Sequence, residues 1–68
     1  MTIGDRIKYL CKQNVITQKQ LADMTGITEA SISRYVNGSR EPRANSIVKL
    51  ADALGVTTDY LLKEQEHE

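Results

Sequence analysis

Residues 17–38, TQKQLADMTGITEASISRYVNG, constrain the fold of this chain more than any other stretch. They contain two short segments with apolar residues at helical spacing, separated by only three residues. The apolar positions are Leu21, Ala22 and Met24 in the first segment and Ile32, Tyr35 and Val36 in the second. Gly26 lies between them and can adopt a positive φ, so it can end one helix and turn the chain sharply. Two helices joined in this way form a helix-turn-helix, whose second helix enters the major groove of DNA.

Capping residues mark where both helices of this motif begin. Thr17 with Gln20 three residues later forms a capping box, and Thr28 can cap the second helix. Asn37 and Gly38 are typical of a helix end. The sequence therefore predicts helices over residues 18–24 and 29–36.

Helical periodicity continues on both sides of the motif. It predicts a first helix over residues 2–13, a fourth over residues 44–54, and a fifth that Thr57 caps. The apolar positions are Ile3, Ile7, Leu10 and Cys11, then Ile47, Leu50, Ala51 and Leu54, then Tyr60, Leu61 and Leu62. Arg6, Lys8 and Lys12 fall on or near the solvent face of the first helix. We expect one all-α domain of five helices over residues 1–63, followed by a polar tail, 64–68, that frays.

The charges are divided unevenly along a chain whose net charge is zero. Residues 1–43 carry seven basic and four acidic side chains, a balance of +3, whereas residues 44–68 carry two and five, a balance of −3. A molecule with one basic end can be steered onto phosphates, because the local field governs the encounter. The small positive excess predicts weak non-specific binding to DNA.

The composition argues against several other functions. The single cysteine, Cys11, cannot form an internal disulfide and is read as a core residue of a protein from the reducing cytoplasm. The single histidine, His67, lies in the tail, so we expect no catalytic pair, no metal site and no cofactor. No apolar run approaches the ~20 residues that span a bilayer, and the N-terminus lacks the layout of a signal peptide.

Several unlike residues stand at the offsets of a known family. They are Thr17, Gln18, Leu21, Ala22, Gly26, Ile27, Thr28, Ile32, Ser33, Arg34, Asn37, Gly38, Pro42, Leu50, Ala51, Leu54, Gly55 and Val56. With them, residues 3–63 resemble the Cro/C1-type (XRE-like) helix-turn-helix family of bacterial and phage repressors. The resemblance implies the five-helix lambda-repressor-like fold, with helices 2 and 3 as the motif. It also implies a sequence-specific regulator, most simply a small repressor that binds a palindromic operator as a homodimer.

The outer face of the third helix supplies the candidate base-reading residues. Ile32, Val36 and part of Tyr35 point inward. The opposite face carries Glu29, Ala30, Ser33 and Arg34, the positions at which, by resemblance, the family reads bases. The guanidinium of Arg34 matches guanine O6 and N7, although a phosphate or solvent contact is an equal alternative. Glu29 can accept from cytosine, or simply stabilise the helix dipole.

Candidate phosphate contacts flank this helix. They are Gln18, Lys19, Thr28, Asn37, Arg40 and Arg43. Gln18 opens the second helix, where family members bind a phosphate with the help of free backbone amides. An exposed lysine such as Lys19 is often only solvated. For Tyr35, core packing is the default and a phosphate contact through its hydroxyl the alternative.

Two departures from the family concern the first helix. Many members carry Arg at the position of Cys11 and Glu at the position of Val36, and both are apolar here. An apolar pair can replace a partly buried ion pair at little net change in stability, so we predict that Cys11 and Val36 touch. Members often carry Gly at the position of Val15, and a β-branched residue resists positive φ, which leaves the shape of this turn open.

The resemblance also places a dimer contact near the fifth helix. The residues concerned are Val56, Thr57, Thr58, Tyr60 and Leu61. Leu61 and Leu62 are adjacent and cannot both be buried equally, so one of them can serve the dimer. The alternative function is a protein-interaction module, such as an antitoxin or a partner-binding regulator. The zero net charge and the acidic C-terminal third favour that alternative, and salt-dependent binding to duplex DNA separates the two.

Overall fold

A computed structural model describes residues 2–63, which form an all-α fold of five helices. The helices are α1 (Ile3–Asn14), α2 (Gln18–Thr25), α3 (Glu29–Asn37), α4 (Ala44–Leu54) and α5 (Thr58–Leu62). The predicted all-α class and five helices are confirmed, with boundaries within about one residue of those expected. The prediction of a frayed tail concerns residues 64–68, which lie outside the described part of the chain, as does His67.

Threonine hydroxyls begin four of these helices. Those of Thr2, Thr17, Thr28 and Thr57 each accept a hydrogen bond from the backbone amide three residues later. Thr17 and Gln20 form the predicted capping box, in which the amide of Gln20 donates to Oγ1 of Thr17 at 3.0 Å and the amide of Thr17 donates to Oε1 of Gln20 at 2.9 Å. Helix α4 instead begins after Arg43, whose side chain makes no capping hydrogen bond.

Left-handed residues end the first four helices, and one of them is not glycine. Gly26, Gly38 and Gly55 have φ between 73° and 84°, while Val15 has φ 55° and ψ 49°. The amide of Val15 donates to the carbonyl of Lys12 at 3.2 Å, and the amide of Ile16 donates to that of Cys11 at 2.9 Å. This is the ordinary glycine-type helix end, here formed by a β-branched residue. The turn therefore keeps its usual shape and stores strain at Val15.

The centre of the core takes one fully buried side chain from each helix. These are Ile7, Leu21, Ile32, Leu50 and Leu61. The prediction that Leu61 belongs to a dimer contact is therefore wrong, because its side chain is 0% exposed within the protomer. Leu62, the neighbour left open by the sequence argument, is 39% exposed. The core thus holds α5 against the other helices through Leu61 and turns Leu62 outward.

Helices α1 and α3 approach each other through their backbones at Gly4. A Cβ placed on Gly4 would lie 2.7 Å from the carbonyl oxygen of Val36, and closer still to that of Tyr35. No side chain fits there without moving one helix. The N-terminal turn of α1 thus meets the C-terminal turn of α3, where the two helix dipoles are complementary.

Arg6 joins α1 to α5. Its guanidinium carbon lies 4.7 Å from the centre of the Tyr60 ring, a cation–π contact. Arg6 is half-buried, which agrees with its predicted place on or near the solvent face of α1. Over residues 2–63, no helix has the length and apolar character needed to cross a membrane.

Candidate nucleic-acid interface

Thr25 and Gly26 shape the turn between α2 and α3. The buried Thr25 hydroxyl donates to the carbonyl of Leu21 at 2.8 Å and accepts from the amide of Ile27 at 3.2 Å. Gly26, at φ 77°, donates its amide to the carbonyl of Ala22 at 2.8 Å. These bonds stabilise the backbone of the turn between α2 and α3.

Helix α3 has one buried face and one exposed face. Ile32 is fully buried, Tyr35 is 7% exposed, and Val36 is half-buried against the core. The four predicted base-reading residues, Glu29, Ala30, Ser33 and Arg34, are all exposed. The inward and outward faces of α3 are therefore those predicted, and the outer face is free to enter a groove.

Tyr35 belongs to the core. Its ring is buried, and its hydroxyl lies 3.4 Å from Oγ of Ser46 in α4. The core-packing interpretation of Tyr35 thus agrees with the structure, while the alternative phosphate contact through its hydroxyl stays a prediction. Through Tyr35, helix α4 supports the inner side of α3.

Two predicted phosphate contacts lie at the start of α2. Gln18 is half-buried and Lys19 is exposed. The first backbone amides of a helix have no acceptor within the helix. In α2, the hydroxyl of Thr17 accepts from one of them, the amide of Gln20. The amides of Gln18 and Lys19 precede it, so this helix start can donate to an anion.

The remaining predicted phosphate contacts surround both ends of α3. The hydroxyl of Thr28 caps the helix, accepting from the amide of Ser31 at 3.2 Å. Asn37 accepts from the amide of Ser39 through Oδ1 at 2.9 Å, which leaves its side-chain NH₂ group available to donate. Beyond α3, the amides of Ser39 and Arg40 donate to the carbonyl of Arg34 at 3.0 and 3.3 Å. This fold-back holds the exposed Arg40 beside the end of α3.

Arg43 occupies a distinct place in this arrangement. It is exposed and stands at the N-cap of α4, where its side chain is not engaged in capping. Its side chain is therefore exposed at the start of α4. With Lys19, Arg34 and Arg40 it makes four exposed basic side chains on and beside the helix-turn-helix.

The residues predicted for a dimer contact divide between core and surface. Val56 and Tyr60 are half-buried against the core, and Thr57 caps α5 by accepting from the amide of Tyr60 at 3.0 Å. Thr58 is half-buried. A surface groove of about 540 Å³ is lined by Thr57, Asp59, Tyr60, Leu62 and Lys63. Two of the residues predicted for the dimer contact, Thr57 and Tyr60, therefore line this groove. Leu62 also lines it, whereas Leu61 is buried in the core.

Cys11 and Val36 both line a second groove, between α1, the start of α2 and α3. Cys11 is buried, and burial raises the pKa of its thiol. The sequence interpretation of Cys11 as a core residue agrees with this placement. The direct contact between Cys11 and Val36 stays a prediction.

Sequence reasoning did not find the Arg6–Tyr60 contact or the grouping of Lys8 and Lys12 with Gln18 around one groove. The spacing of four residues between Lys8 and Lys12 could have indicated that they share a face. The Arg6 contact depends on where α5 packs, which no local pattern reports.

The fold and the site together define the class of protein. Three features are those of a helix-turn-helix DNA-binding domain. They are five helices around one small core, a second motif helix exposed along its polar face, and basic side chains at the start of α2 and around the end of α3. A family model described as helix-turn-helix matches residues 7–61. The chain belongs to the Cro/C1-type helix-turn-helix family of transcriptional regulators, as the resemblance in its sequence predicted.

Known relatives place the chain within this family. It is 38% identical over 65 residues to YqaE of Bacillus subtilis, a protein named as an uncharacterized HTH-type transcriptional regulator. The match covers 96% of this chain and 56% of YqaE. It is 34% identical over 61 residues to repressor protein C2 of Salmonella phage P22, covering 90% of this chain and 28% of that repressor. The chain spans about half the length of the first curated relatives it matches.

A solved structure confirms the lambda-repressor-like fold. The crystal structure of the P22 c2 repressor in complex with a synthetic operator superposes with a TM-score of 0.87, at 33% identity. The match covers 93% of this chain and 96% of that one. The arrangement of the five helices is thus that of a domain crystallised on operator DNA.

Proposed function

We propose that this chain is a sequence-specific, double-stranded-DNA-binding regulator of transcription that acts as a repressor. The observation that carries the proposal is the outer face of α3. Glu29, Ala30, Ser33 and Arg34 are all exposed on a helix whose other face is locked into the core. This face carries the charged side chains of Glu29 and Arg34 and the small side chains of Ala30 and Ser33. A helix with such a face fits the major groove of DNA, which is about 12 Å wide.

The side chains on and around α3 divide into those proposed to contact bases and those proposed to contact phosphates. Arg34 is proposed to donate to O6 and N7 of guanine, a pairing worth about 1–3 kcal/mol of discrimination. Glu29 can accept from cytosine N4, and Ala30 can touch a thymine methyl. Gln18, Lys19, Thr28, Asn37, Arg40 and Arg43 are proposed to hold the phosphates on either side, which fixes the register of α3 in the groove.

Useful specificity requires two copies of this domain. One recognition helix reads only a few base pairs, so a homodimer on a palindromic operator is proposed. Its contact is proposed at the exposed side of α5, through Thr57, Tyr60 and Leu62, with Val56 and Thr58 beside them. Leu61 is excluded from this contact because it lies in the core.

The relatives support this proposal. The P22 c2 repressor was crystallised with a synthetic operator, and the other matches include proteins named as transcriptional regulators and repressors. The lone buried Cys11 also fits the reducing cytoplasm in which such regulators act.

The test is a selection of binding sites from random duplex DNA, repeated with two variants. We expect Arg34→Ala to relax the preference at one position in each half-site. We expect Arg43→Ala to weaken binding to all sequences similarly and to flatten the dependence of affinity on salt. Lys49→Ala, an exposed lysine of α4, is the matched control and should change neither.

Two outcomes would contradict the proposal. If Arg34→Ala weakened every sequence equally, Arg34 would be a phosphate contact and not a base reader. If the unmodified protein showed no salt-dependent binding to duplex DNA, the protein-interaction role would be favoured, because neutralising phosphates always releases counterions.

A further inference from the structure

A second groove lies beside α1, away from the outer face of α3. The groove measures about 380 Å³, and its walls come from α1, the start of α2 and one residue of α3. Its lining consists of Lys8, Cys11, Lys12, Val15, Ile16, Thr17, Gln18 and Val36. Cys11 is buried and Val36 half-buried, whereas Lys8 and Lys12 are exposed. Cys11, Ile16 and Val36 therefore form the floor, and the exposed Lys8, Lys12 and Val15 form part of the rim.

The described residues around this groove carry a single sign of charge. Among residues 2–63, Lys8 and Lys12 are the charged residues that line it, and no Asp or Glu of that range does. A cleft with walls of low dielectric that is lined by one sign of charge focuses its field on an approaching ion of opposite sign. The groove is therefore complementary to a polyanion.

The groove is continuous with the proposed DNA interface through Gln18. Gln18 lines the groove and also opens α2, where the first amides are available to donate to a phosphate. A DNA strand held at that helix start has to continue past one side of it. Lys8 and Lys12 lie one helical turn apart, about 6 Å along α1, against a rise of about 3.4 Å per phosphate on one strand. Two flexible lysine side chains with that separation can each reach a phosphate.

We propose that Lys8 and Lys12 extend the DNA interface onto α1, where they hold the phosphodiester backbone that runs past the start of α2. This inference rests on the proposed function, because it adds a third phosphate-binding element to those at α2 and beyond α3. The contact is independent of sequence, since lysine meets phosphate as a point charge and reads no base edge. Helix α1 thereby contributes to affinity and to the register of α3, but not to base preference.

The experiment measures affinity for a mixed-sequence DNA duplex as a function of salt, with the full chain and the variants Lys8→Gln, Lys12→Gln and the double variant. Glutamine and lysine have similar helix propensity, so the fold of α1 is preserved. The matched control is Lys49→Gln, the same charge change on an exposed lysine that lines a different groove, with Met24 and Asp52. Binding to the best duplex from the site selection is measured in parallel.

Each lost phosphate contact lowers the slope of log affinity against log salt by about 0.9. Between 50 and 200 mM salt, the affinity of the unmodified protein should therefore fall about 12-fold more than that of the double variant, and about 3.5-fold more than that of either single variant. The base preference should be unchanged. Lys49→Gln should keep the slope of the unmodified protein.

Equal slopes for the double variant and the unmodified protein would overturn the inference while leaving the proposed function intact. So would a loss in Lys49→Gln as large as in the α1 variants, since that would reflect net charge and not a contact. If the unmodified protein bound neither duplex, the proposed function itself would fail. The two failures are therefore distinguishable in one data set.

Discussion

The strained left-handed conformation of Val15 predicts that Val15→Gly raises the free energy of unfolding, although substitutions by glycine usually lower it. At φ 55°, an L-residue pays roughly 1–2 kcal/mol for the left-handed conformation, and a β-branched residue lies at the upper end. Val15 is 87% exposed, so removing its side chain forfeits only about an eighth of the ~1.5–3 kcal/mol of a fully buried valine. The greater freedom of glycine in the unfolded chain costs about 0.5–1 kcal/mol. The balance is a gain of about 0.5–1 kcal/mol, which corresponds to about 2–8 °C in Tm for a domain of this size.

Urea and thermal unfolding, followed by circular dichroism, measure this gain. The matched control is Val48→Gly, the same substitution at a half-exposed valine inside α4. There the backbone is helical, so glycine loses both propensity and burial, and the variant should be destabilised by about 1–2 kcal/mol. Opposite signs for the two variants are the expected result. A Val15→Gly protein that melts at or below the original temperature would refute the argument from strain.

Three further predictions concern α1 and α3. Gly4→Ala should destabilise the protein by about 1–3 kcal/mol in urea unfolding, because the new Cβ overlaps the carbonyls of Tyr35 and Val36. The control Asn45→Ala, at the equivalent position of α4, should not destabilise it. A Gly4→Ala variant that is more stable than the unmodified protein would show that α1 and α3 do not approach so closely. A double-mutant cycle of Cys11→Ala and Val36→Ala should give a coupling energy of about 0.5 kcal/mol or more, whereas additivity would count against their contact. Burial raises the pKa of the Cys11 thiol above its usual 9.0. The stability that the protonated thiol contributes is therefore fully present below pH 9.0 and is lost as the pH rises further. The difference in unfolding free energy between the unmodified protein and Cys11→Ala should shrink above pH 9.0, and a constant difference would exclude this pH dependence.

Local signals in the sequence were sufficient for the elements and for the face of α3. The threonine caps, the left-handed glycines and the apolar spacing act within a few residues, so they specify each helix without reference to the rest of the molecule. The exposed residues of α3 follow from the same spacing once Ile32 is known to point inward. Position-by-position resemblance to the family supplied the functional interpretation of those residues.

Contacts between distant segments could be decided only by the tertiary structure. Whether Leu61 or Leu62 enters the core depends on how α5 meets the other four helices, and adjacent leucines carry no local signal of that choice. The sequence likewise indicated that Val15 resists a left-handed turn, but Val15 adopts it in the structure, between the buried Cys11 and Ile16, which packs against the core. The groove that joins Lys8 and Lys12 to Gln18 arises where α1 passes the start of α2. Local chemistry thus determined what each helix is, and the close packing of one small core determined which of its residues remain available to DNA.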